Sequence, residues 1–356
     1  MLLHLNKGVS RAYMALVCVA AVYLPSDALA ENREFALTVE EVIIKVAADL
    51  DYKVFAFNGQ VPGPLLHVKQ GDDLTIHVTN NTTLPHTVHW HGTPMRDNWR
   101  NDGVPGVTQE NIAPGDTYTY KFKAEKAGSL WYHCHVNVNE HVGIRGMWGP
   151  MIIDPKAPTA LEKTVTKDVI MMLSTWESGS ANAYGAGGLF GEQEDYFSVN
   201  AKSFPSSQPI RVKKGDVVRL RFFGAGDGIH AMHPHGHDML VTHKDGAPLP
   251  APYEVDTLLI GPGERYDAIV KMDNPGLFIM HDHVDKHVTA KGKYPGGPIT
   301  VFEYDGIEKP PFYVWKDKDA SFDPDFYYSA AMKKGHGLFE NPAFAGVSAS
   351  NNRRRK

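Results

Sequence analysis

The sequence has few cysteines, only one short basic run and no apolar run long enough to cross a bilayer. Its 356 residues include two cysteines, Cys18 and Cys134. If Cys18 is removed with an N-terminal leader, no internal disulfide can form, which excludes a disulfide-stabilised scaffold. The net charge of −5 and a single basic run at 353–356 argue against a nucleic-acid-binding surface.

Residues 1–30 have the order of an export signal. Lys7 and Arg11 precede an apolar run at 14–24, and small residues follow up to Ala30. This order is typical of a cleaved signal peptide, and the apolar run is too short to span a bilayer. We therefore predict a signal peptide, no membrane span, and a periplasmic or secreted location.

The rest of the chain consists of short runs rich in β-branched and aromatic residues. Segments such as 73–79 and 217–223 are bounded by Gly, Pro and Asn. This pattern predicts an all-β sandwich fold.

Two short patterns recur along the chain and predict an internal duplication. Lys69-Gln-Gly-Asp72 returns as Lys213-Lys-Gly-Asp216, and Ile112-Ala-Pro-Gly115 returns as Ile260-Gly-Pro-Gly263. A pattern-poor stretch with two prolines, from 154 to about 167, separates the copies. We predict a first domain at 31–157, a second domain at 158–305 and a C-terminal tail at 306–356.

Histidine is frequent and often paired. Chance would give about one His-x-His pair among 18 histidines in a chain of this length. Five pairs occur: His89/His91, His133/His135, His233/His235, His235/His237 and His281/His283. Residues i and i+2 of a strand share one face, roughly 6 to 7 Å apart, so each pair can present two imidazoles to one metal cluster. Accidental clustering is the alternative, but four pairs occupy equivalent places in the two copies.

Cys134 lies between two of these histidines. A lone thiol in an exported domain can be inert and buried, form an intermolecular bridge, or bind a metal. Strand alternation directs the thiol to one face and both imidazoles to the other, so the tripeptide can serve two sites. Two histidines, a cysteine and a weak axial methionine form a blue-copper site. The ligands we predict for it are His86, Cys134, His141 and Met147.

Four motifs together resemble the two-domain multicopper oxidases over roughly residues 45 to 305. They are His86-Thr-Val-His-Trp-His-Gly92, Trp131-Tyr-His-Cys-His135, His230-Ala-Met-His-Pro-His-Gly236 and His281-Asp-His283. The resemblance implies two cupredoxin-like Greek-key β-sandwich domains and four copper ions per chain, one type 1, one type 2 and a type 3 pair. The step from Cys134 to His141 is longer than the family's commonest step.

The resemblance also implies the ligands of a trinuclear copper cluster. The type 2 copper would be bound by His89 and His233. The type 3 pair would be bound by His91, His133, His135, His235, His281 and His283. His237 lies just beyond this pattern and is expected to orient a ligand rather than bind copper.

We make a separate prediction for each of two aspartates. Asp282 occupies the position of the cysteine in the second copy, between His230 and His287 of a lost blue site, and a carboxylate cannot supply the thiolate bond. No blue copper is expected there. Asp102 resembles the family's acidic residue near the cluster, which would supply protons, but Asp-Gly also favours a turn. The two roles are compatible.

The resemblance implies a laccase-like oxidase that reduces dioxygen to water with electrons from phenols, metal ions or a small redox protein. Phenols are the default donor, because they need little more than an exposed edge of His141. The resemblance further implies a homotrimer with clusters between subunits. The alternatives are a copper nitrite reductase and a non-catalytic electron carrier. In nitrite reductases, the positions of His89 and His135 are typically not histidine, and a carrier would need only one cupredoxin domain.

Overall fold

A computed structural model describes residues 30–181, 194–311 and 313–315. Of the predicted signal peptide at 1–30 only residue 30 is described, and of the predicted tail at 306–356 only residues 306–311 and 313–315 are. No helix in the described part of the chain is long and apolar enough to cross a membrane.

The first half of the described chain contains eight strands. They are β1 (Asn32–Ala47), β2 (Leu50–Phe57), β3 (Leu66–Lys69), β4 (Asp73–Asn80), β5 (His89–His91), β6 (Thr117–Lys123), β7 (Gly128–His133) and β8 (Trp148–Asp154). Helical structure here is limited to a 3₁₀ turn at Trp99–Asn101 and a π-helical turn at Asn139–Ile144.

The second half contains eleven strands among the described residues. They are β9 (Lys167–Trp176), β10 (Tyr196–Val199), β11 (Ile210–Val212), β12 (Val217–Gly224), β13 (His230–Pro234), β14 (Met239–Lys244), β15 (Ala247–Val255), β16 (Leu258–Ile260), β17 (Arg265–Lys271), β18 (Leu277–Asp282) and β19 (Thr300–Tyr304). The 3₁₀ turns are Glu162–Thr164, Ser178–Ser180 and Asp285–Val288.

The strands form four sheets, two in each half. The first half has the sheets β2-β1-β4-β6 and β3-β8-β7-β5, and the second has β10-β9-β12-β17-β14-β15 and β11-β19-β18-β13-β16. Each pair of sheets encloses its own apolar cluster. The predicted all-β sandwich fold is confirmed. The change from one pair of sheets to the other falls between β8 and β9.

Strand β4 shows why the sequence folds in this way. Its side chains alternate regularly, with Leu74, Ile76 and Val78 buried and the residues between them partly exposed. A period of two gives a strand one apolar face, and that face is stable only when a second sheet covers it.

The recurring Lys-x-Gly-Asp pattern forms the same turn twice. Oδ2 of Asp72 accepts the N–H of Lys69 at 2.9 Å, and Oδ2 of Asp216 accepts the N–H of Lys213 at 3.0 Å. In both cases the aspartate closes the turn that begins the next strand.

The two halves share an apolar cluster as well as having one each. Tyr52 and Trp148 of the first half belong to the same buried group as Ile170, Trp176 and Phe223 of the second. The rings of Tyr52 and Trp176 meet edge to face with centroids 5.0 Å apart. Burial of such large rings removes apolar surface from water and fixes one half against the other.

Buried charges also join the halves. Asp168 accepts hydrogen bonds from Arg219 and, at 2.9 Å, from Nε of Arg221. Nη1 of Arg221 also donates to Oδ2 of Asp267 at 3.1 Å and to Oγ of Ser129, in the first half, at 2.8 Å. Burial raises the pKa of Asp168, but Arg221 and Arg219 outweigh it and hold the pKa at about 2.

We expect Asp168→Asn to lower the free energy of unfolding by about 3 kcal/mol, because two buried guanidinium groups lose their shared carboxylate, although Arg221 keeps Asp267 and Arg219 keeps Glu162. The carboxylate's contribution is fully present above its ordinary pKa of 3.8 and is lost as the pH falls toward about 2. Denaturant unfolding at pH 7 checks the magnitude. Asp51→Asn is the control, because Asp51 forms only an exposed ion pair with Lys45. Equal effects of both changes would contradict the prediction.

Candidate metal centres

The first site is a buried group of one thiol and two imidazoles. Cys134 directly follows β7, and its Sγ lies 3.6 Å from Nδ1 of His86 and 3.4 Å from Nδ1 of His141. The three side chains are between 0% and 3% exposed. A metal ion bound to all three would separate sulfur and nitrogen by about 3.5 Å, given bond lengths near 2.0 to 2.3 Å. The donor atoms are therefore already spaced for one metal ion.

Thr82 fixes the orientation of His86. Its hydroxyl donates to Oδ1 of Asn80 at 2.7 Å, so it must accept the Nε2–H of His86, 2.9 Å away. The Nδ1 lone pair of His86 is thereby directed at Cys134. Phe55 packs edge-on against His86 and His141, with centroid distances of 4.8 Å to each ring.

His141 is carried by the π-helical turn Asn139–Ile144. The turn closes where the N–H of Arg145 donates to the carbonyl of Glu140 at 2.8 Å. A π-helix has more residues per turn than an α-helix and is common at functional sites. Its wide turn accommodates the long step between Cys134 and His141.

Two further predictions for this site concern Met147 as the axial ligand and the imidazole edge of His141. Met147 is buried in the same apolar cluster as Cys134, and its carbonyl accepts the N–H of Cys134 at 3.1 Å. Its role as the axial ligand stays a prediction. His141 is 3% exposed. Electron entry at an exposed edge of its imidazole stays a prediction.

Burial changes the acid–base properties of this site. It lowers the pKa of His86 to about 3, with a further decrease from His141, and the pKa of His141 to about 4. Burial raises the pKa of Cys134 to about 11. The imidazoles are therefore neutral with free lone pairs at pH 7, whereas the thiol needs a nearby cation to ionise.

The first quartet consists of His89, His91, His133 and His135. Pairing of β5 with β7 places His89 opposite His133. The His89 ring lies 5.2 to 5.7 Å from the other three rings, centroid to centroid. Ligand atoms of His89, His91 and His133 all lie within 4.8 Å of one another. The four imidazoles converge with His89 at their centre.

The second quartet consists of His233, His235, His281 and His283. Pairing of β13 with β18 places His233 opposite His281, and the His233 ring lies 5.2 to 5.8 Å from the other three. Nε2 of His235 and Nε2 of His281 are 3.1 Å apart. His235 and His283 are exposed. The arrangement repeats the first quartet, but on an open surface.

Within the described residues, imidazole rings of each quartet contact other imidazoles of the same quartet and none of the other. A single chain therefore presents two separate groups of four histidines.

Four of the eight imidazoles are oriented in the same way. In each, Nδ1–H donates to a main-chain carbonyl at 2.7 to 2.8 Å, which leaves Nε2 free to bind a metal. The pairs are His89 with Asp102, His133 with Cys134, His233 with Asp256, and His281 with Asp282.

A third group of side chains, His230, Asp282 and His287, has a carboxylate where the first site has the thiol of Cys134. Oδ2 of Asp282 lies 2.7 Å from Nδ1 of His230 and 2.7 Å from Nδ1 of His287, and all three side chains are buried. Burial raises the pKa of Asp282, but hydrogen bonds from His230 and His287 outweigh it and hold that pKa well below the ordinary range.

Asp102 and His237 both lie beside a quartet. Oδ1 of Asp102 is 3.4 Å from Nδ1 of His89, and the carboxylate is partly exposed. The next residue, Gly103, has a φ of +83°, and a Cβ there would clash with the carbonyl oxygen of Val88. His237 has both ring nitrogens engaged, one with the His235 carbonyl at 3.0 Å and one with the Tyr304 hydroxyl at 2.7 Å.

Sequence patterns alone did not reveal Thr82 or Phe55. Phe55 has a counterpart in Phe197, whose ring stacks on His287 at 4.0 Å. Both phenylalanines precede by three residues an asparagine with positive φ, Asn58 or Asn200. This shared spacing is the signal that could have revealed Phe55, whereas nothing local distinguishes Thr82.

Two family models, both described as multicopper oxidase, match the chain over residues 38–158 and 181–291. A solved structure of the multicopper oxidase mgLAC is 69% identical, with a TM-score of 0.83 over 86% of this chain and 96% of that one. The blue copper oxidase from Nitrosomonas europaea is 60% identical, with a TM-score of 0.82 and the same coverage.

Among curated proteins, Laccase-2 of Botryotinia fuckeliana is 36% identical over 257 residues, which are 67% of this chain and 43% of the laccase. The chain spans about half the length of the curated relatives it matches.

We expect Thr82→Val to weaken Cu²⁺ binding at the thiol site by about 10-fold or more, because His86 loses the acceptor that orients it. Titration of the metal-free protein with Cu²⁺, followed by visible absorption, measures the change. Thr83→Val is the matched control, since Thr83 is exposed and bonds only the carboxylate of Glu41. An unchanged affinity in Thr82→Val would refute the orienting role.

Proposed function

Because the chain belongs to the multicopper oxidase family, we propose that it is a laccase-like enzyme that oxidises a reducing substrate by single electrons. The acceptor is dioxygen, which is reduced to water with four electrons and four protons. The observation that carries the proposal is the tripeptide 133–135, which contributes a buried thiol to one site and two imidazoles to another.

The thiol site would hold a type 1 copper bound by His86, Cys134 and His141, with Met147 as the weak axial ligand. The fit rests on the donor spacing of 3.4 to 3.6 Å and on complete burial, which excludes water from the site. When bound, copper supplies the one-electron redox chemistry that these side chains lack. The chain itself orients the ligands and holds the imidazoles neutral.

The two quartets would together hold a trinuclear cluster, which brings the total to about four copper ions per chain. His89 and His233 are the proposed type 2 ligands, as the resemblance to the two-domain multicopper oxidases implies, and each contacts the other three rings of its quartet. The other six histidines are the proposed type 3 ligands: His91, His133, His135, His235, His281 and His283.

Electrons would pass from the thiol site to the cluster through the main chain around Cys134. Besides the covalent route, Nδ1–H of His133 donates to the carbonyl of Cys134 at 2.7 Å, so a hydrogen bond shortens the path. Asp102 is the proposed proton source. Its carboxylate is partly exposed and lies 3.4 Å from Nδ1 of His89, between solvent and the first quartet.

We further propose an exported homotrimer in which the first quartet of one chain meets the second quartet of its neighbour. The open surface of the second quartet supports this arrangement, since four converging imidazoles make only half of the proposed cluster. Apolar side chains are exposed near both quartets, including Val107 after Asp102 and Leu259 opposite Ala231. Head-to-tail contacts of this type close into rings.

The nitrite reductase and electron-carrier alternatives are less well supported. A nitrite reductase would lack the histidines at 89 and 135, yet both rings lie in the first quartet, 5.5 Å apart. An electron carrier needs only the thiol site, so the two groups of four imidazoles would have no role in it. Phenols are the proposed substrate class, with metal ions as the second possibility.

We expect Cys134→Ser to abolish the intense blue absorption and oxygen uptake with a phenolic donor. Total copper should fall from about four to about three ions per chain, because the quartets keep their imidazoles. Absorption, copper analysis and an oxygen electrode measure the three quantities. Met147→Leu is the control and should remain blue. Two coppers per chain with a blue band but no oxygen uptake in the wild type would favour the nitrite reductase.

Complementation tests the proposed position of the cluster. One chain carries His89→Ala and His133→Ala, the other carries His233→Ala and His281→Ala, and each alone should be inactive. Random assembly of co-expressed chains in a head-to-tail ring restores about a quarter of the clusters. Oxygen uptake near that fraction is the expected result. No recovery in a stable mixed assembly would place both quartets of a cluster within one chain.

A further inference from the structure

The carboxylate of Asp282 is completely buried and has four hydrogen-bond donors around it. Oδ2 accepts from Nδ1–H of His230 and of His287 at 2.7 Å each. Oδ1 accepts the main-chain N–H of Ala231 at 2.9 Å and of Val284 at 3.0 Å. A buried carboxylate is tolerated when its acceptor sites are filled in this way.

These contacts correspond one by one to those of the thiol in the first half. Cys134 is flanked by His86 and His141 as Asp282 is by His230 and His287. Its Sγ accepts the N–H of the second following residue, Val136, as Asp282 accepts that of Val284. The carboxylate has therefore replaced the thiol within an otherwise retained arrangement.

The distances exclude a metal ion shared by the carboxylate and the two imidazoles in this arrangement. Donor atoms bound to a common metal at about 2.0 to 2.2 Å lie about 3.3 Å apart in tetrahedral geometry. The observed separations of 2.7 Å are those of charge-assisted hydrogen bonds. The carboxylate oxygen joins the two imidazoles directly.

This hydrogen-bonded group lies beneath the second quartet. Asp282 separates His281 from His283 in sequence, and its side chain points to the opposite face of β18. Its carbonyl accepts Nδ1–H of His281 at 2.8 Å, and the N–H of His283 donates to the carbonyl of Ala231 at 2.7 Å. Ala231 is two residues before His233 on β13. Every strand segment of the quartet is thus connected to Asp282.

We propose that Asp282 is a positioning residue for the second quartet, and that its bonds to His230 and His287 hold this layer together as the proposed type 1 copper would hold the thiol site of the first half. Imidazoles on an open surface have little side-chain packing to fix their orientation, so the constraint must come from the layer below. The role in copper binding rests on the proposed function, whereas the hydrogen-bonded arrangement does not.

The test compares Asp282→Asn with His230→Asn in the full-length assembly. The asparagine amide at 282 has one acceptor oxygen for the four N–H donors that surround Asp282, and its NH₂ group must face two of those donors. The amide N–H of an asparagine at 230 can still donate to Asp282. We expect D282N to keep the blue band of the Cys134 site while cluster copper, measured at limiting copper, falls 10-fold or more. H230N should retain most cluster copper. Asp285→Asn, an exposed carboxylate on the next turn, is the control.

Amide hydrogen exchange provides a readout that needs no copper. In Asp282→Ala, exchange at Ala231 and Val284 should accelerate 10-fold or more, because both N–H groups lose their shared acceptor. If the wild type binds copper only at the Cys134 site, the proposed function is wrong. The exchange rates still show whether Asp282 holds the two main-chain N–H groups. Three results would each overturn the positioning role of Asp282: unchanged exchange in Asp282→Ala, full cluster copper in D282N, or an extra metal ion that D282N removes.

Discussion

The alternation of side chains at the end of β7 is the constraint on which both proposed copper sites depend. Cys134 enters the core beside His86 and His141, while His133 and His135 face the other way. The register of β5 against β7 then brings His89 opposite His133. A slip of one residue would exchange the two faces and separate the thiol from both imidazoles. The local two-residue period and one strand pairing therefore position two different centres at once.

Features that arise from short-range periodicity could be predicted from the sequence. The all-β fold follows from alternating runs such as β4, and the quartets follow from His-x-His pairs whose members lie on one strand face. Features that depend on tertiary packing were not predicted. The burial of His141 against Phe55 joins segments far apart in the sequence. Thr82 lies four residues before His86 and the π-helical turn is local, but no sequence pattern predicts either contact, and the carbonyl acceptors leave no trace in residue type.

Asp102 approaches His89 with two different atoms. Its carbonyl accepts Nδ1–H of His89 at 2.8 Å, while its carboxylate remains partly exposed 3.4 Å away. Gly103 permits the close approach to Val88 that this geometry requires. The carboxylate is thus available for the proposed proton role, which stays a prediction, while the carbonyl orients His89.

The apolar cluster shared by the two halves has a consequence for assembly. Tyr52, Trp148 and Trp176 hold the halves in one orientation, so the angle between the two quartets of a chain is fixed before any partner arrives. In a head-to-tail ring, that angle sets the rotation from each chain to the next. Within the proposed assembly, the apolar cluster inside a single subunit therefore determines how many subunits form the closed ring.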